Sequence, residues 1–217
     1  MMALRGRFVH GVASSPGALE LVEDGLIEVD DAGVIRSFTV GGGVVKRMAE
    51  LVAAGLQVQT MTGAQLCVPG MIDTHVHAPQ YMYTGTATDL PLMEWLQKYT
   101  FPAERRCENT SFAASVYSRL VSRLLSHGTT TAVYYGSIHL AATKALVDTC
   151  REQGQRALVG KVCMDQHGAA GYEETTSDSL RDTRAFIEYC YDCQPEAGDE
   201  VSRLVNPVVT PRFIPTW

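Results

Sequence analysis

At 217 residues, 46% of them hydrophobic, with 19 Gly and 9 Pro, the chain can bury a sizeable core, which excludes disordered, fibrous and low-complexity classes. A formal net charge of −6 without any Lys/Arg cluster lacks the basic footprint of a nucleic-acid binder. There is no run of about 18 apolar residues for a membrane span, and no apolar stretch behind the N-terminal Met1-Met2-Ala3-Leu4-Arg5-Gly6-Arg7 for a secretory leader, so the expected compartment is the cytosol, with the six Cys reduced.

Residues 1–66 read as a small β region. Short apolar runs at 7–10, 26–29 and 34–38 have β character, and Asp30-Asp31-Ala32-Gly33 supplies a hairpin turn between the last two. A short helix is expected over 45–54. From residue 67 the pattern becomes strands alternating with helices. Val68-Pro69-Gly70 is a turn entering a strand expected to be buried. Residues 111–126 form a helix on the spacing of Phe112, Val116, Leu120 and Leu124, capped by Thr110 or Ser111. A strand follows at 129–135, a helix at 139–152 closed by Gly154, and an apolar strand at 157–164. A helix at 177–191 has Asp178 in its first turn, and a last strand at 204–210 is weakened by Pro207. Cys190-Tyr191-Asp192-Cys193 has the spacing of half a zinc knuckle without a second ligand pair, so two thiols near a helix end are expected. About four βα-type strands after residue 66 imply parallel pairing, in half a barrel or an open α/β sheet.

The chemistry-bearing segment is Pro69-Gly70-Met71-Ile72-Asp73-Thr74-His75-Val76-His77. Residues two apart on a strand share a face, so His75 and His77 present both imidazoles to one side, a geometry suited to two ligands of one zinc ion. Asp73 is expected on that face too. Alone, His-x-His is a weak signal, since a polar pair at a strand end is common. The apolar run before it and the polar-aromatic loop after it strengthen it.

This segment resembles the first metal motif of the amidohydrolase superfamily. The continuation resembles the guanine deaminase family within it, in Leu90-Pro91-Leu92-Met93-Glu94-Trp95 through Thr100-Phe101-Pro102-Ala103-Glu104, in His127-Gly128-Thr129-Thr130-Thr131-Ala132, in Val159-Gly160-Lys161-Val162-Cys163-Met164-Asp165, and in Pro207-Val208-Val209-Thr210-Pro211-Arg212-Phe213. The resemblance implies an α/β fold. Residues 67–217 would be the first half of a TIM (β/α)8 barrel, about four strands, and residues 1–66 the N-terminal part of a small β domain. It implies zinc as cofactor, hydrolysis of guanine to xanthine and ammonia, and a homodimer for a full-length form. By position, His75 and His77 match metal ligands, and His77, Ala78, Pro79, Gln80, Arg212 and Phe213 match the substrate site. Zinc brings the pKa of its water to about 7, and attack falls on the amino-bearing C2. A Gln amide suits the mixed edge of a purine, an Arg fork donates to O6 and N7, and a Phe ring lies against a base. Without the resemblance, Arg212-Phe213 reads as surface charge beside a core aromatic, and Trp95 and Tyr99 read as packing. With it, replacing Arg212 is expected to harm turnover more than folding.

The family's later His ligands, catalytic Glu and Asp have no counterpart here, and His127, His139 and His167 lie outside matching motifs. No catalytic residue beyond the metal ligands is therefore assigned. Alternatives are a truncated, inactive product and an aminohydrolase acting on another purine or a triazine ring. The 217 residues alone are expected to be inactive and poorly soluble.

Overall fold

The computed structural model describes residues 1–194 and 203–212. The chain divides into two compact units, Met1–Pro69 and Gly70–Trp217.

In the first unit, β1 (Met2–Gly11), β2 (Leu19–Val29), β3 (Ile35–Val40) and β4 (Val58–Thr60) form a sheet of order β3-β2-β1-β4, with helix α1 (Gly43–Ala53) between β3 and β4. The hairpin turn is where the sequence puts it. Asp30 Oδ1 accepts from the Ala32 and Val34 amides at 2.9 Å each, and Gly33 supplies the left-handed φ of 80°. Ala3, Leu26, Val44 and Leu51 form the core. Buried Glu28 is gripped by Arg47 at 2.7 Å, with Ser37 also donating, and the pair holds its carboxyl down to about 2. The sequence runs undercount this sheet. β1 and β2 are longer than expected, and the three-residue β4 carries no recognisable signal.

In the second unit, β5 (Met71–His77), β6 (Thr129–Tyr135), β7 (Arg156–Gly160) and β9 (Val205–Pro207) pair in parallel in the order β5-β6-β7-β9. Helices α4 (Thr110–Ser126), α5 (Leu140–Gln153) and α6 (Thr176–Asp192) lie between successive strands. Their apolar faces pack on one side of the sheet through Val116, Leu120, Ala132, Leu146, Val159, Phe186 and Val205. Three broken helical pieces follow β5: α2 (Leu92–Trp95), a wider turn (Leu96–Thr100) and α3 (Phe101–Arg105). A two-stranded parallel ribbon joins β8 (Val162–Cys163) to β10 (Thr210–Pro211).

Several expectations need correction. The cap of α4 is Asn109, not Thr110 or Ser111; its side chain accepts from the Phe112 amide at 3.0 Å. The strand expected over 157–164 breaks at Lys161, which turns inward, fully buried, to Glu174 at 2.7 Å. The strand expected over 204–210 splits after Pro207, which has no amide to give the ladder. β5 is not buried. As an edge strand it leaves Met71 54% and Ile72 68% exposed.

Candidate active site

The parallel register sets His77 beside Tyr135, so both histidines and this tyrosine occupy the C-terminal ends of β5 and β6, on the sheet face away from the helices. His75 Nε2 and His77 Nε2 stand 3.1 Å apart. Tyr135 stacks on His77 at 4.8 Å and 22°, and its centroid is 4.7 Å from His75. Asp73 departs from expectation. The ladder shifts register between Asp73 and Val76, so Asp73 lies beside Ala132, which faces the helices, and its Oδ1 accepts from the His75 amide at 3.1 Å.

A short 3-10 segment, Ala78–Tyr83, starts directly after His77. Its Ala78 and Pro79 are buried and do not line the cavity beside the histidines, whereas Gln80 does. That cavity, of about 480 Å³, is bounded by His75, His77, Gln80, Trp95, Tyr135 and Arg212. Leu92, Leu96 and Val162 add apolar wall. The β8–β10 ribbon delivers Arg212, whose amide donates to Cys163 O at 2.7 Å. Gly160 permits this approach, since a Cβ there would come within 2.3 Å of Thr210 Cγ2. Phe213 lies outside the described residues.

Arg212 is held from behind by Glu104, a residue the motif reading quoted but gave no role. The Glu104 side chain is fully buried, and its Oε2 accepts from Arg212 Nη1 at 3.0 Å and from the Tyr172 hydroxyl at 2.7 Å. Arg212 Nη2 reaches Oε1 at 3.4 Å, and the guanidinium sits 5.4 Å from the Phe101 ring centroid. Burial pushes the Glu104 carboxyl above the usual range, while Arg212, Tyr172 and the Gln80 amide pull it back. Nothing in sequence spacing links Glu104 to Arg212, 108 residues apart. Tyr135 was missed as well; only its register opposite His77 marks it.

The residues fit a zinc ion in part. Metal–nitrogen bonds of about 2.0–2.1 Å to nitrogens at this spacing subtend about 100°, near a tetrahedral angle. Burial, the Arg212 cation and the His75 ring hold His77 down to about 3, so at neutral pH its imidazole is uncharged, the form that ligates. His77 Nδ1, the atom that ordinarily anchors a ligating ring, is buried without a partner among the described residues. Among those residues no group of three or more His, Cys, Asp or Glu could hold a metal, and the cavity lining contains no carboxylate.

A parallel sheet carrying paired histidines at its strand ends defines the class, and the sequence agrees: residues 66–207 match the amidohydrolase family, and the chain belongs to it. Its α/β fold resembles the N-terminal part of the amidohydrolase barrel. Among known proteins the chain is similar to guanine deaminase of Dictyostelium discoideum, 40% identical over 220 residues, covering 98% of this chain and 47% of that protein. It is also 40% identical to guanine deaminase of Homo sapiens over 210 residues, covering 96% of this chain and 44% of that one. Among solved structures, guanine deaminase from C. acetobutylicum with bound guanine superimposes with a TM-score of 0.81 at 30% identity, covering 100% of this chain and 47% of that one. E. coli guanine deaminase gives 0.83 at 31%, covering 100% and 48%. The chain therefore spans about half the length of the relatives it matches.

Proposed function

We propose that this chain carries the substrate-binding half of a zinc-dependent guanine deaminase, its residues 67–217 providing about the first four strands of a (β/α)8 barrel and residues 1–66 part of a small β domain. The observation that carries the reading is the convergence of His75, His77, Gln80 and Arg212 on one cavity. The similarity to guanine deaminases, one of them with guanine bound, supports guanine over another cyclic amidine. His75 and His77 would hold the zinc, which when bound supplies a water pKa lowered to about 7 and so a nucleophile at neutral pH. Arg212 donates to the acceptors of the purine edge, Gln80 meets its N–H side, and Trp95 and Tyr135 hold the ring plane and exclude water. The carboxylate that moves protons, and the remaining metal ligands, would come from outside the described cavity lining. A cytosolic compartment with the cysteines reduced is the accompanying reading.

The test is His75→Ala and His77→Ala in the full-length zinc-loaded protein. Each is expected to drop zinc well below one per chain and guanine loss, followed by absorbance, below detection. One zinc per chain with full turnover in either variant overturns the assignment.

A further inference from the structure

We propose that Glu174 is a positioning residue that sets the place of Arg212 by clamping β8, the strand on which β10 is built. Its carboxylate holds both ends of β8. Before the strand, the Lys161 ammonium donates to Glu174 Oε2 at 2.7 Å and to Oε1 at 2.9 Å. After it, the Met164 amide donates to Oε1 at 3.0 Å, and the Glu174 amide donates to Met164 O at 3.1 Å. Lys161 Nζ also donates to Val162 O at 2.9 Å, so the three hydrogens of this buried ammonium meet three acceptors. The Lys161 and Glu174 side chains are 0% and 8% exposed. A cation and a carboxylate held in so dry a place cannot slide past each other without breaking charge-assisted hydrogen bonds.

The clamp fixes the backbone from which Arg212 projects. Thr210 Oγ1 donates to Lys161 O at 2.8 Å, and the Arg212 amide donates to Cys163 O at 2.7 Å. Between these bonds Thr210 pairs with Val162 and Pro211 with Cys163. The clamp is itself anchored. Glu174 directly precedes Thr175, whose hydroxyl accepts from the Asp178 amide at 3.1 Å and caps α6. Val162, Thr210, Pro211 and Arg212 line the cavity, whereas Lys161 and Glu174 do not. Glu174 therefore acts on a bound molecule only through the ribbon. The inference rests on the reading of Arg212 as a substrate contact, and a guanidinium fork tolerates little displacement.

The test is a double-mutant cycle in the full-length zinc-loaded protein, with kcat/KM for guanine, zinc content and melting temperature measured for each variant. Glu174→Gln keeps the side-chain length and an acceptor for the Met164 amide but removes the charge that Lys161 faces. It is expected to lower kcat/KM by about 10- to 100-fold with zinc content unchanged. Arg212→Lys lowers kcat/KM by itself. Adding Glu174→Gln to it is expected to lower kcat/KM by less than about threefold more, because the guanidinium that Glu174 places is gone. A merely structural role would cost the same factor in both backgrounds. That outcome, a loss of zinc, or full kcat/KM in Glu174→Gln overturns the role of Glu174 and leaves the guanine reading standing. Glu174→Asp keeps the charge and withdraws the carboxylate by one methylene. It is expected to show the same dependence on Arg212, and it decides the matter should Glu174→Gln fail to fold. An Arg212→Lys variant with unchanged kcat/KM overturns the reading of Arg212 as a substrate contact, and this inference with it.

Discussion

The side chain of Arg212 is 5% exposed and faces a carboxylate that is fully buried, so truncating it strands a charge in the interior. Removing one partner of such a pair costs about 3–5 kcal/mol. Arg212→Ala is therefore expected to lower folding stability by that order as well as turnover, measured by urea denaturation. A stability loss below about 1 kcal/mol would mean that the pair carries no such burden. This revises the expectation that turnover would suffer far more than folding. At this scale the sequence was legible where the chemistry is local. His75 and His77 sit two apart on one strand, and Gln80 follows within a turn. It was silent where contacts are long-range: Glu104 stands next to Arg105 and Arg106 and looks like any solvated helical charge. Asp73 was misplaced because a register shift inside β5 defeats simple alternation.

Helices with a clear apolar stripe were readable almost to the residue, because α4, α5 and α6 each bury one face against the same sheet. Strands were less so. The two that broke did so for reasons of side chain and backbone rather than hydrophobicity: the inward turn of Lys161 to Glu174, and the missing amide of Pro207. Those breaks matter, since they create the ribbon that carries Arg212 to the cavity. The capping error at α4 has a measurable consequence. Asn109 alone among the residues considered accepts from the first-turn amide of Phe112, so Asn109→Ala is expected to cost about 1 kcal/mol, read as a lowered urea midpoint. Thr110→Ala should be near neutral, and the reverse ranking would return the cap to Thr110.

Parallel sheets are ordinarily covered on both faces, and in the Gly70–Trp217 unit the described helices α4, α5 and α6 cover one. The other face is open at its middle. Ile72 is 68% exposed and Leu158 is 37% exposed, and both project away from Ala132 and Ala157, which enter the helix layer. Among the described residues the outer edge of β5 also has no strand partner, a template for another chain. Apolar surface beside an open strand edge drives association. The 217-residue chain, purified alone, is expected to sediment as a concentration-dependent mixture of oligomers and to bind an apolar dye. Ile72→Lys and Leu158→Lys lie away from the cavity lining and are expected to shift the distribution toward monomer without lowering the melting temperature by more than a few degrees. A monodisperse monomer at high concentration, or variants that associate as the parent does, would show that this face does not drive self-association.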